Sequence, residues 1–483
     1  MGLRIVFFSI GSLLLFSAFC MLFPAAIDYS MGDKHGHVFF VSAVLCCFFG
    51  VMLCMVNRTV LKENITVKGA FLLTTLAWLT LSVIGALPLY FSDLNLSFTD
   101  SFFEAISGIS TTGSTILPDI TLLSHGQLLW RAMMQMIGGI GIIAFAILLL
   151  PFLKVGSMQL FHSESSDKSL KALPKSKDFI LSLVSIFFAL ILLCFATYMA
   201  LGMTAFEAIT YAMTTISTGG YAIYNDSFGH FNSPALEIAC MVFMLSGGIP
   251  FVLYIRFLYK KEFNFFKDEQ VKTFFFVTGW IIIFLTVWLM FKVPGYGFLT
   301  SLRYVAFNII SVVTTTGFAT IDYTLWGPLA ISVFMFVTYL GACSGSTSGG
   351  LKFVRLLVIF KTVSAHLKTL RFRHGVFPVM YEGKAVDPSM TMNILGFMCL
   401  YVTANAALAV ALAMTGLDFD TAISAAATAI ANVGPGIGQV IGPAGNFSSL
   451  PDTAKWLLSF GMLLGRLEIV TVLILFSPDF WKK

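Results

Sequence analysis

Charge is scarce in this chain. Only 11% of its 483 residues are Asp, Glu, Lys or Arg, where a soluble domain carries about 25%, and that excludes an ordinary water-facing surface. Cysteines stand at 20, 46, 47, 54, 194, 240, 343 and 399 with no CxxC pair, which argues against thiolate metal and redox motifs. The histidines show no metal-ligand spacing, and there is no Walker loop, dinucleotide fingerprint or nucleophile elbow. Nucleotide control, if any, must therefore come from another chain. A membrane-embedded enzyme would need paired carboxylates, a histidine cluster or a nucleophile–base pair at membrane depth, and the sequence offers none.

What is abundant is apolar surface: 58% of the residues are hydrophobic. Runs at 4–26, 70–91 and 179–201 each reach the roughly 20 apolar residues that cross a bilayer core. The first reads as a retained span rather than a cleaved signal peptide, because a second run follows at 38–56. Basic residues gather around Arg58, Lys62 and Lys68, then Lys154, Lys168, Lys171, Lys175 and Lys177, then Arg256, Lys260, Lys261, Lys267 and Lys272, then 352–384. The positive-inside rule puts these loops and both termini in the cytoplasm. Each basic cluster abuts a span, so they are not read as nucleic-acid sites.

Ten spans fit this pattern, at 4–26, 38–56, 68–91, 126–153, 179–201, 234–258, 273–293, 326–361, 391–415 and 453–477. Between spans 3 and 4, 5 and 6, 7 and 8, and 9 and 10 lies a semi-apolar segment too short to cross: FTDSFFEAISGIS, MTAFEAITYAMTTIS, FLTSLRYVAFNIISVVT and DFDTAISAAATAIAN. Each suits a re-entrant half-helix. A polar turn with a central glycine follows each one: STTGS (110–114), ISTGG (216–220), TTTGF (314–318) and ANVGP (431–435). Gly113, Gly219, Gly317 and Gly434 are the expected equivalents, 106, 98 and 117 residues apart.

The expected architecture is an all-α integral membrane protein. An N-terminal two-helix hairpin (1–67) precedes four pseudo-repeats of span, half-helix and span around a central pore: 68–153, 154–262, 263–375 and 376–483. Repeats of one orientation bring the four turns to one point, whereas inverted-repeat transporters would alternate. Irregular backbone at membrane depth must line a cavity, and glycine lets successive carbonyls point one way. A carbonyl ring replaces the hydration shell of a monovalent cation, with the negative ends of the half-helix dipoles aimed at it. No Asp or Glu lies in the four turns, which disfavours a divalent-cation site.

These turns and half-helices resemble the single-glycine filters of the Trk/Ktr/HKT potassium transporters over about residues 68–477. The two extra N-terminal spans resemble the Trk branch, with its bacterial TrkH/TrkG-type subunits of the inner membrane. The resemblance implies a potassium filter formed by Ser110, Thr111, Thr112 and Gly113; Ile216, Ser217, Thr218 and Gly219; Thr314, Thr315, Thr316 and Gly317; and Ala431, Asn432, Val433 and Gly434. Thr111, Thr112, Ser217, Thr218, Thr315, Thr316, Asn432 and Val433 are the implied ion ligands. The fourth turn departs from the pattern at Asn432, Val433 and Pro435, which makes the ring asymmetric.

Span 8 is interrupted by GACSGSTSGG (341–350), and glycines there cost a helix about 1 kcal/mol each. In the resembled family this stretch is an intramembrane gate, so Gly345, Ser346, Thr347, Ser348, Gly349, Gly350 and the adjoining Lys352 are gate candidates. Arg466 falls in the last span, where a central arginine is costly and faces a cavity or a partner; it resembles the family's pore-facing arginine, an electrostatic barrier. Glu104 and Glu207 are not equivalent relative to their glycines and are read as structural or mouth-of-pore residues. The resemblance further implies a homodimer, surrounding lipid, no cofactor on this chain beyond potassium, and a cytosolic RCK-type nucleotide-binding subunit docked near 154–177 and 352–384. Channel-like passage and coupling to protons or sodium both stay open, with organic-solute symport a weaker alternative.

Overall fold

The computed structural model describes residues 3–33, 35–58, 65–149, 176–261, 265–293, 296–372 and 374–482. It opens with the hairpin α1 (Leu3–Met31) and α2 (Gly36–Asn57), which packs on α3 (Val67–Tyr90). Asp28 of α1 reaches the start of α5 (His125–Leu149), accepting hydrogen bonds from Gly126 N at 2.5 Å and Ser124 Oγ at 3.0 Å. That carboxylate satisfies an otherwise orphaned helix N-terminus.

From α3 onward one order of elements recurs. Half-helix α4 (Phe98–Ile109) follows α3 and precedes α5; α7 (Ala205–Ile216) follows α6 (Ser176–Ala200) and precedes α8 (Pro234–Gly248) with α9 (Phe251–Lys260). Half-helix α11 (Phe298–Val313) follows α10 (Glu269–Lys292) and precedes α12 (Pro328–Thr338) with α13 (Phe353–Arg371). Half-helix α15 (Phe419–Ala431) follows α14 (Pro388–Ala413) and precedes α16 (Asp452–Arg466). Helices α17 (Val470–Leu473) and α18 (Pro478–Trp481) end the chain, and a two-stranded hairpin pairs β1 (Met380–Tyr381) with β2 (Lys384–Ala385).

Three of the half-helices start where a side chain caps the first turn, while α11 starts at Gly297 without one. Ser97 accepts from Asp100 N, Thr204 from Glu207 N in a reciprocal capping box, and Asp418 from Thr421 N. Their inner faces are buried, and the turns that follow are buried too. Outward helices instead carry exposed apolar side chains, such as Phe16, Phe19, Phe48 and Phe49 on the hairpin and Trp280, Ile283 and Phe284 on α10. Among the described residues, six helices are long and apolar enough to cross a bilayer, or eight if two bent pairs each count as one span.

Those bends correct two spans expected to be continuous. At 234–258 the helix turns by 90° between α8 and α9; Pro250 forces Ile249 into extended backbone. At 453–477 the bend is 108°, with Glu468 at φ 55° and Ile469 at φ 26°. No proline lies at the second break, and Gly465 stands in the last turn before it. Glu468 is drawn away to pair with Arg355 of α13 at 2.6 Å, so Arg466 ends a helix rather than sitting in the middle of one.

Candidate functional site

The four turns share one backbone. Each half-helix runs out into a left-handed residue: Thr111 (φ 51°), Thr218 (52°), Thr315 (58°) and Asn432 (55°). Two residues later comes a left-handed glycine: Gly113 (86°), Gly220 (75°), Gly317 (84°) and Gly434 (110°). The residue between donates its N–H to the carbonyl five positions back: Thr112 to Ser107 at 2.9 Å, Gly219 to Thr214 at 2.9 Å, Thr316 to Ser311 at 2.8 Å and Val433 to Thr428 at 3.1 Å.

This register corrects the second turn. Gly220, not Gly219, has the backbone of Gly113, Gly317 and Gly434; Gly219 stands where the other turns have Thr112, Thr316 and Val433. Ser217 accordingly matches Ser110 and Thr314 as the residue that ends its half-helix.

The glycines also show how the turns meet. A β-carbon on Gly113 would overlap the Gly219 carbonyl oxygen, one on Gly220 that of Thr316, one on Gly317 that of Val433, and one on Gly434 would lie 2.7 Å from that of Thr112. The contacts pass from the first turn to the second, third and fourth and back to the first. They close a ring in which each glycine lies against the carbonyl of the next turn, and in which no side chain larger than hydrogen fits.

Helix α5 supports the ring between the first two turns. Gln135 Nε2 donates to Gly219 O at 2.6 Å and its Oε1 accepts from Tyr221 N at 3.0 Å. One helical turn away, Arg131 pairs with Glu104 of α4 at 2.8 Å, donates to Ala222 O at 3.0 Å and lies over the Tyr221 ring at 4.1 Å. Both members of the pair are at most 1% exposed. Glu104 also accepts from Ile116 N at 2.9 Å, so it fixes the chain leaving the first turn. Arg131 and Gln135 were not among the sequence candidates, because their partners lie 27 to 91 residues away.

Beneath the ring lies the 341–350 segment, held by backbone and hydroxyl contacts instead of helical bonds. Cys343 N donates to Gly248 O at 3.1 Å, and Gly345 O accepts from Phe251 N at 2.9 Å. Thr347 Oγ1 lies within hydrogen-bond distance of Ile216 O (3.1 Å), Gly247 O (3.0 Å) and Thr218 Oγ1 (3.3 Å). Gly349 N donates to Thr315 Oγ1 at 2.7 Å. Lys352 Nζ donates to both Ser348 oxygens, while Ser346 and Ser348 bond each other at 2.8 Å. The loop thus touches the second and third turns directly.

Arg466 joins the loop to the first unit. Its Nη1 donates to Thr347 O at 2.9 Å and its Nη2 to Gly138 O of α5 at 3.2 Å. The side chain is buried, and its Nε has no hydrogen-bond partner among the described residues. The structure therefore brings the filter and gate candidates together, most of them buried and Gly113, Gly317, Gly345, Gly350 and Lys352 half-buried. Of the docking candidates, 154–175 lies outside the described residues; 352–371 is mostly α13, whose Lys361 pairs with Glu269.

The model of the family described as "TrkH: Cation transport protein" matches residues 35–483. The chain is similar to the Trk system potassium uptake protein TrkI of Halomonas elongata, 47% identical over 414 residues that cover 86% of this chain and 84% of that protein. It is also similar to the Trk system potassium uptake protein TrkH of the same organism, 34% identical over the full length of both. The crystal structure of the potassium transporter TrkH from Vibrio parahaemolyticus superposes with a TM-score of 0.92 at 30% identity, covering 100% of each chain.

Proposed function

Because the chain belongs to the TrkH family of cation transport proteins, we propose that it takes up potassium through a gated pore whose selective element is the ring of four turns. The family is one of transporters, not enzymes. The observation that carries the reading is the cyclic contact of Gly113, Gly220, Gly317 and Gly434 with the carbonyls of Gly219, Thr316, Val433 and Thr112. Such oxygens replace the hydration shell of a bare monovalent cation without a carboxylate. The ligands are the carbonyls of Thr111 and Thr112, Thr218 and Gly219, Thr315 and Thr316, and Asn432 and Val433, with half-helix C-termini adding negative potential.

Residues 341–350 act as the gate, since they sit below the ring and bond to Thr218 and Thr315. Arg466 holds the loop shut through Thr347 O and places a positive charge in the cation's path. Opening withdraws both. The protein acts as a homodimer with both termini inside, regulated by a cytosolic nucleotide-binding subunit that docks on the basic inner loops.

The test is ion flux into liposomes containing the purified protein, under opposed potassium, rubidium, sodium and lithium gradients and no proton gradient. Potassium and rubidium should enter down their own gradients ahead of sodium, and faster in Arg466→Ala. Flux that requires a proton or sodium gradient would replace the pore with coupled transport, and movement of an organic solute would end the reading.

A further inference from the structure

Asn432 occupies the position held by threonine in the other three turns, Thr111, Thr218 and Thr315. Two of those threonines bond the gate loop, Thr218 Oγ1 to Thr347 Oγ1 at 3.3 Å and Thr315 Oγ1 to Gly349 N at 2.7 Å, and neither bonds another turn among the described residues. The carboxamide reaches further: its Nδ2 lies 2.9 Å from Thr112 Oγ1, 3.0 Å from Met462 O and 3.3 Å from Ala429 O. Thr112 belongs to the first turn, and Met462 lies one helical turn before Arg466 on α16. Two amide hydrogens face three acceptors, so the contacts compete and a shift of α16 changes which is favoured.

The gate loop abuts the same residue. A β-carbon on Gly349 would overlap Ala431 O and lie 3.0 Å from Asn432 Cβ, and one on Gly465 would lie 3.0 Å from Asn432 Oδ1. Asn432 Oδ1 and Arg466 Nε are both buried without a partner among the described residues. An acceptor at the ring and a donor on the arginine are thus both left open in this arrangement.

Building on the filter and gate reading above, we propose that Asn432 is the positioning residue through which α16, the helix that carries Arg466, acts on the filter, beside the loop's own bonds to Thr218 and Thr315. Withdrawal of Arg466 and the loop shifts the end of α16, and the contacts of Asn432 with Met462 and Thr112 carry that shift to the joint between the fourth and first turns. The gate then alters selectivity as well as flux. The loop and α16 supply the two-state element that such coupling requires.

The test is a double-mutant cycle on the full-length protein in liposomes, read as the ratio of potassium to sodium entry. Arg466→Ala alone should change the ratio by about fivefold, the lower end of usual coupling strengths. Asn432→Thr keeps the residue that three turns already use at this place. In that background Arg466→Ala should shift the ratio by less than half as much on a logarithmic scale, the remainder passing through the loop's bonds to Thr218 and Thr315. Equal shifts in both backgrounds, or no shift from Arg466→Ala alone, would overturn the proposal. Should Asn432→Thr fail to purify as a single species, Thr112→Val removes the acceptor at the far end and should reduce the shift in the same way. Total flux unaltered by Arg466→Ala would defeat the barrier reading instead, and the ratio would still decide the coupling.

Discussion

Gly219 and Gly220 are adjacent, yet the ring asks different things of them. Gly220 is left-handed and its missing β-carbon faces Thr316 O, whereas Gly219 has no positive φ and faces only the end of the Gln135 side chain. A side chain at a left-handed, crowded position costs about 1–3 kcal/mol, and 1.4 kcal/mol is tenfold in an equilibrium. Gly220→Ser should therefore reduce the potassium-to-sodium flux ratio about tenfold or more, and Gly219→Ala much less. The reverse order would show that the ring register is wrong. Spacing alone did not separate the pair, since either glycine fits a repeat of about a hundred residues. A finer signal was present: a hydroxyl residue precedes each ring glycine by six positions, at Ser107, Thr214, Ser311 and Thr428, and it selects Gly220. Those residues supply the carbonyls that fold each turn back on its half-helix.

Among the elements, α5 is a strut and 341–350 a latch. Removing one member of a buried ion pair costs about 3–5 kcal/mol, while replacing both with apolar groups of similar volume is often neutral. Arg131→Met should thus lower the thermal midpoint in detergent markedly, and the double variant Arg131→Met with Glu104→Leu should recover much of the loss. Strictly additive losses would mean that the two residues act separately. For the latch, Thr347→Val removes hydroxyl contacts with Ile216 O and Gly247 O. At about 1 kcal/mol net for one hydrogen bond, leak through the wild-type filter should rise about fivefold; unchanged leak would remove Thr347 from gating. The half-helices and the broken span 8 were legible because length and glycine content are local properties. The bend at 249–250 was not read, although the Ile–Pro pair is a local signal for it. The break after Arg466 was not legible, because its cause is the ion pair of Glu468 with Arg355, 113 residues away. Arg131 and Gln135 escaped notice for the same reason: they read as polar residues on an apolar helix until the fold brings their partners to them.

For the whole molecule, four half-helices deliver four turns that meet in one ring of contacts, and the outward helices carry exposed apolar side chains. The inner-loop topology predicts that a cysteine placed at Glu382, in the turn between β1 and β2, reacts with a membrane-impermeant thiol reagent only after the inner face is exposed. Reaction from outside intact cells would invert the topology. The central claim is that the ring itself holds the ion. Its most direct test is anomalous diffraction from crystals grown in rubidium. A rubidium peak is expected within the ring formed by the carbonyls of Thr112, Gly219, Thr316 and Val433. No peak at the ring, with rubidium bound elsewhere in the chain, would contradict it.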